Sequence, residues 1–244
     1  MSTPSSYTFP IAFRDVHYFA LLYRANAERV YHHLIGTDLK PALCAGRRPM
    51  VAVGLIHYKD SDLGAYNEVI LAIPVVPAKQ DTGWKNWMNL YSSRQNRAVG
   101  QYIIHIPVTT QQSVDAGCGI WGYPKIKLPI EHQFGKQELH STIFSTEHSP
   151  TIEFQGSLGI SLPVPGMNLM TYSLLNGHWM KTWVDVQSNM RCRPFADVRI
   201  NPLQQSTEMA REIALLGIAD RSPLLTLEAS KFSAKFHAPE PMHQ

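Results

Sequence analysis

A succession of short strand-patterned runs, each cut off by proline or glycine, constrains this chain more than any other feature. Residues 51–58, 66–73, 101–108, 126–132, 138–145, 151–160, 169–175, 179–186 and 224–236 alternate apolar with polar side chains or concentrate β-branched and aromatic ones. Both patterns belong to strands, whose successive side chains point to opposite faces. Seventeen prolines and fifteen glycines break the runs at close intervals. Spacing this short suits antiparallel connections better than the helical crossovers of a parallel sheet. The expected fold class is mainly β (α+β), an antiparallel barrel or cone with a few peripheral helices.

Helical patterns are few. Residues 26–34 open on Asn26, a good capping residue, and place Val30, Tyr31 and Leu34 at turn spacing. Residues 109–116 follow a threonine cap and are expected to stop at Gly117. In 206–216, Met209, Ile213 and Leu216 share one face before Gly217. Residues 84–100, with Trp84, Trp87 and Met88, read equally as a helix, a lid or a subunit contact.

Composition excludes several function classes. A chain of 244 residues with 44% hydrophobic content buries a substantial core as one domain, and no linker, repeat or low-complexity tract divides residues 1–244. A net charge of +3, with scattered basic residues, does not suggest a nucleic-acid surface. The longest apolar run, residues 69–78, is broken by Pro74 and Pro77 and falls far short of a membrane helix. Met1 to Ser6 carry no secretory pattern, so a cytoplasmic protein is expected, with no membrane partner. Cys44, Cys118 and Cys192 are isolated, and the histidines show no ligand spacing. His32-His33 and Glu147-His148 are adjacent pairs whose side chains diverge. No metal and no cofactor is expected, since nucleotide loops are also missing. Asp60-Ser61-Asp62 reads as a solvated acidic turn, Gly117-Cys118-Gly119 equally as a close backbone approach beside Lys125 or as a helix stop, and Arg191-Cys192-Arg193-Pro194 as basic surface.

The chemistry points to Gly119-Ile120-Trp121-Gly122-Tyr123-Pro124-Lys125, where one lysine follows a proline in an almost uncharged segment. An unperturbed lysine, with a pKa near ~10.4, is protonated at neutral pH and does not attack a carbonyl. Apolar surroundings make the ammonium form costly, which is one way to obtain an amine nucleophile for Schiff-base formation. A lysine laying its stem over apolar surface with its head in water fits the same residue types.

Trp121-Gly122-Tyr123-Pro124-Lys125 resembles the active-site strand of the acetoacetate decarboxylase superfamily. Leu63-Gly64-Ala65-Tyr66-Asn67-Glu68 is similar to that family's Gly-x-Tyr-x-Glu run. Weaker likeness extends from Tyr18–Arg24 to Pro165-Gly166-Met167-Asn168, with an insertion around residues 84–96. The resemblance implies a closed β-cone, homo-oligomers and a small-molecule substrate, an oxo acid or other carbonyl compound. It makes Lys125 the imine-forming residue and Glu68 its acid–base partner, with Tyr66, Tyr123 and Trp121 around the pocket. Ile126 stands where classical members carry a second lysine. Lys127, ~7 Å along the same side of an extended strand, reads either as a substitute or as a solvated lysine at a rim, the latter preferred. Val16 occupies the place of an arginine associated with the substrate carboxylate, and Gly54 that of another pocket glutamate; Arg14 or Arg24 could supply the missing charge. The implied activity is a Schiff-base lyase that decarboxylates a 3-oxo acid. Aldol or dehydration chemistry on the same imine, and a non-catalytic binding cone, remain the alternatives.

Overall fold

The computed structural model describes residues 7–80 and 83–242. The first six residues, read above for a secretory pattern, lie outside that set. In chain order the elements are β1 (Ile11–Arg24), α1 (Ala27–His33), β2 (Leu39–Pro41), β3 (Cys44–Ala45), β4 (Arg48–Ser61), β5 (Tyr66–Pro77), α2 (Lys85–Asn89), β6 (Gly100–Val108), α3 (Gln111–Trp121) and β7 (Lys125–Lys127). There follow β8 (Ile130–Phe134), β9 (Glu138–Phe144), β10 (Pro150–Ser157), β11 (Leu162–Pro163), β12 (Leu169–Leu175), β13 (His178–Ser188), β14 (Arg191–Arg193), β15 (Asp197–Pro202), α4 (Glu208–Leu215), β16 (Leu225–Phe236) and β17 (Glu240–Pro241).

Strands β16, β1, β4, β5, β6, β12 and β13 pair in that order, and β13 returns to β16 from Val184↔Phe236 to Ser188↔Phe232, closing a barrel. The barrel is mixed, which corrects the antiparallel expectation. Strand β12 runs parallel to β6 at Thr171↔Gln101, and β7 runs parallel to β6 at Ile106↔Lys125. Helix α3 makes the second of these possible, because it carries the chain back along β6 before β7 begins.

The two faces of the barrel wall differ. Outward residues Phe19, Leu21, Val53, Leu55 and Leu71 are fully buried against a second sheet, β15-β10-β9-β8, which contributes Ile143, Ile152, Phe154, Val198 and Ile200. Burying each such side chain contributes ~1.5–3 kcal/mol. Inward residues of the same strands, among them Tyr18, Ala20, Gly54, Ile70 and Ala72, line a cavity.

Local chemistry explains most boundaries. Asn26 caps α1 by accepting from the Glu28 amide at 3.0 Å. Thr207 caps α4 through the Ala210 amide at 3.2 Å, and Gly217 follows at φ 66°. Helix α3 does not stop at Gly117. It runs on to Trp121 and ends at Gly122, whose φ of 68° is the left-handed conformation such a terminus needs. The run read as one strand over 126–132 is two, β7 and β8, which belong to different sheets. Strand β1 was missed, because bulges between Phe13, Val16 and Tyr18 break its alternation. Among the described residues, no helix is long and apolar enough to cross a membrane.

Candidate active site

Lys125 is the first residue of β7, and its parallel pairing with Ile106 points its side chain into the barrel. Glu68 comes from β5, paired with Val108 on the intervening β6. The Lys125 ammonium nitrogen Nζ lies 2.6 Å from Glu68 Oε2, and the two side chains are only 5% and 3% exposed. Nζ also donates to Ser113 Oγ at 2.8 Å, from the first turn of α3. The amine sits 5.4 Å from the centroid of the Tyr66 ring, close enough for a cation–π contact when protonated.

Tyr58 completes the cluster. Its hydroxyl donates to Glu68 Oε1 at 3.2 Å, and its ring stacks on Tyr66 with centroids 4.3 Å apart. Burial, reinforced by the nearby Glu68 carboxylate, raises both phenols well above their ordinary pKa. Tyr58 and Tyr66 therefore stay protonated, and Tyr58 donates to the carboxylate. Behind Glu68, His132 of β8 hydrogen-bonds the Glu68 carbonyl through Nε2 at 3.3 Å and Ser141 Oγ through Nδ1 at 2.8 Å. Burial pushes the His132 pKa down to about 4. Its neutral ring ties the second sheet to the strand that carries the carboxylate.

The cavity in front of the pair has a volume of about 390 Å³. Tyr66, Tyr123, Trp121 and Gly54 line it, as do Glu68 and Lys125. Trp121, at the end of α3 rather than on a strand, donates from Nε1 to the His237 carbonyl at 3.0 Å and stacks on Tyr123. The Tyr123 hydroxyl shares a 2.7 Å hydrogen bond with Thr171 Oγ1. Ile126 and Val16 are not brought to the wall. Ile126 is 48% exposed, because neighbouring residues of β7 face opposite ways, and Val16 is sealed into an apolar cluster beside Phe13.

The substitute cations also lie elsewhere. Lys127 and Arg24 are exposed, and Arg14 is gripped at the surface by Asp60 at 2.9 Å and Asp62 at 2.6 Å. The Asp60–Asp62 turn thus holds an arginine rather than only solvent. In the Arg191–Arg193 stretch, Arg193 is buried and paired with Glu228 at 2.6 Å, and Cys192 reaches the cavity wall. Neither fits the basic-surface reading. Among the described residues, no group of three or more histidine, cysteine, aspartate or glutamate side chains could hold a metal ion.

Two residues of the site, Ser113 and Tyr58, escaped sequence reasoning, whereas the close approach at Gly117 was one of its two readings. Ser113 and Gly117 lie one helical turn apart on α3, a spacing that puts both toward Lys125. A Cβ at Gly117 would stand 2.4 Å from Lys125 Cδ, so the lysine stem passes where only glycine leaves room. Tyr58 was read only as a strand residue; its pairing with Tyr66 across β4 and β5 brings it beside Glu68. The segment with α2 borders the cavity through Trp87, Met88, Leu90 and Tyr91.

The structure is a closed barrel with a buried lysine–glutamate pair facing an apolar cavity. The chain belongs to the acetoacetate decarboxylase family, whose profile matches residues 1–132 and so takes in both Glu68 and Lys125. No curated protein sequence matches it significantly. Solved structures share its fold. An acetoacetate decarboxylase from Legionella pneumophila is 13% identical, with a TM-score of 0.68, and covers 100% of this chain and 92% of its own. The enduracididine biosynthesis enzyme MppR, complexed with the condensation product of pyruvate and imidazole 4-carboxaldehyde, is 11% identical, with a TM-score of 0.66 and coverage of 98% and 91%. An acetoacetate decarboxylase-like enzyme from Sphingomonas wittichii is 12% identical, with a TM-score of 0.65 and coverage of 100% and 97%.

Proposed function

We propose that this protein is a Schiff-base-forming lyase in which Lys125 condenses with a 3-oxo acid and the resulting iminium drives loss of CO2. The observation that carries the reading is the buried Lys125–Glu68 pair, 2.6 Å apart at the wall of an apolar cavity. The sequence left desolvation to do most of the work of activating the lysine. In the site the Glu68 carboxylate also faces the amine. Two opposite charges in an apolar cavity are costly to keep out of water. Moving one proton from the ammonium to the carboxylate removes both charges at once. That single transfer yields a nucleophilic amine and a carboxylic acid already in place.

The remaining steps follow from those two groups. The amine adds to the ketone carbon to give a carbinolamine. Glu68 donates its proton to the departing hydroxyl, which leaves as water, and the iminium faces the regenerated carboxylate. The electron pair of the C–CO2 bond then moves into the iminium, releasing CO2 and leaving a neutral enamine. Protonation at carbon, relayed from water through Glu68, restores an iminium. Water hydrolyses this to the ketone and the free amine. Tyr58 and Ser113 hold the carboxylate and the amine in register, which limits the reorganisation each step requires.

A second reading rests on a specific observation. Among the described residues lining the cavity, Lys125 is the sole cation, and Glu68 already opposes it. A wall without a separate clamp for a substrate carboxylate favours aldol or dehydration chemistry on a neutral carbonyl compound through the same imine. Product analysis decides between the two. Decarboxylation predicts one CO2 per ketone formed from a 3-oxo acid, abolished by Lys125→Ala. Imine formation without CO2, together with a dehydrated condensation product from an aldehyde, would replace it with the second reading.

A further inference from the structure

We infer that the carbonyl compound handled at Lys125 carries a long apolar chain, housed in the cavity beyond the lysine. The inference rests on the lysine reading above and deepens it. At about 390 Å³ the cavity falls in the ~300–1,000 Å³ range of sites that hold drug-sized ligands. A four-carbon acid would leave most of it empty.

The wall has the chemistry of hydrocarbon binding. Its charges are confined to Lys125 and Glu68, which neutralise each other, and Gln101, Thr171 and Cys192 are neutral. Away from the lysine several inward positions of three adjacent strands are small. Ala20 pairs with Gly54, and Ala52 with Ala72. Backbone geometry does not require the glycine. A Cβ at Gly54 would meet Ile70 Cβ at 3.4 Å and the Tyr18 ring at 3.6 Å, which are ordinary contacts. What these residues leave is open volume. From Glu68 to Ala72 the lined stretch of β5 runs about 13 Å at the rise of a strand. Met88 and Tyr91 line the cavity and are 63% and 50% exposed, so it opens to solvent past α2 through apolar side chains.

A competition experiment tests this. Borohydride trapping on Lys125 would be run with mixtures of 3-oxobutanoate, 3-oxooctanoate and 3-oxododecanoate below their micelle concentrations, and the adducts counted by peptide mass spectrometry. Adduct yield should rise about fourfold for each methylene buried until the cavity is full. Ala72→Phe and, at a less buried position, Ala52→Leu should each cut the long-to-short ratio by about tenfold or more. Thermal melting would select the variant that folds. A flat or falling ratio with adducts on Lys125 throughout overturns the long-chain inference and leaves the lysine reading standing. No adduct from any acid overturns the lysine reading. Tryptophan fluorescence of Lys125→Ala with 2-butanone and 2-undecanone then tests the cavity alone. Tighter binding of the longer ketone supports an apolar occupant, and equal affinity overturns it.

Discussion

Neighbouring residues of β5 show two uses of one strand. Leu71 points outward, is fully buried and meets the second sheet; Ile70 points inward, is only partly buried and borders open volume. On β4 the same division of faces separates Val53 and Leu55, which pack outward, from Ala52 and Gly54, which line the cavity. Stability is concentrated on the outer face, where two sheets interdigitate, which leaves the inner face free to hold space and a buried charge pair. A wall held from behind can keep a cavity from collapsing. His132 links the two regions, since it reaches from the second sheet to the strand position that carries Glu68.

The largest expected effect lies on the inner face. Glu68→Gln keeps the shape but removes the proton acceptor, and turnover should fall by roughly 10²–10⁴-fold, measured as kcat under saturating substrate. Melting temperature should fall, since the substitution leaves the buried Lys125 amine without its counter-charge. A variant that keeps more than half its activity would detach Glu68 from the chemistry.

Paired truncations break the contrast most directly on stability. Leu71→Ala should cost about 3–5 kcal/mol in denaturant unfolding, because it leaves a void in a packed interior. Ile70→Ala, which enlarges a space already open, should cost less than about 2 kcal/mol. Equal costs would mean that the two faces are not distinct.

The link between the faces carries a pH signature. His132 titrates near 4 in the folded protein because it is buried, whereas an unfolded histidine titrates near ~6.5. The unfolded chain therefore takes up the proton first, and stability falls as pH drops from about 6.5 to 4. The loss is on the order of 3 kcal/mol across that window, and a His132→Gln variant should show a shallower slope in urea melts. A slope unchanged by the substitution would remove His132 from this role.

Gly117→Ala probes a smaller displacement. Its Cβ would collide with the Lys125 stem, so the amine must move while the fold persists. Turnover should drop about 10–100-fold with a melting temperature near that of the parent. Full activity in Gly117→Ala would show that the lysine reaches the carbonyl by another route.

Much of this was legible in the sequence, for physical reasons that also mark its limit. Strands such as β12, expected over 169–175 and found there, declare themselves because their side chains alternate between core and cavity. Lys125 and Glu68 stood out because their motifs resemble those of the acetoacetate decarboxylase family; residue types alone also fit a lysine with its head in water and a strand glutamate paired with a cation. Strand β1 stayed hidden because its bulges shift the register, and its stretch from Phe19 to Tyr23 is apolar on both faces. The parallel pairing of β12 with β6 is a long-range event that no local pattern encodes. Gly117 read equally as a helix end or as a close approach to the lysine; its missing side chain serves the lysine, and the helix ends at Gly122. Ser113 and Tyr58 carry no signal without the register that delivers them.

The account stands on an imine at Lys125, and one measurement addresses it. The protein would be incubated with a 3-oxo acid and sodium borohydride, digested, and the peptide containing Lys125 weighed against an untreated sample and a Lys125→Ala control. The account predicts a reduced adduct on Lys125 and none in the variant. An adduct spread over surface lysines such as Lys127, or none at all, would contradict it.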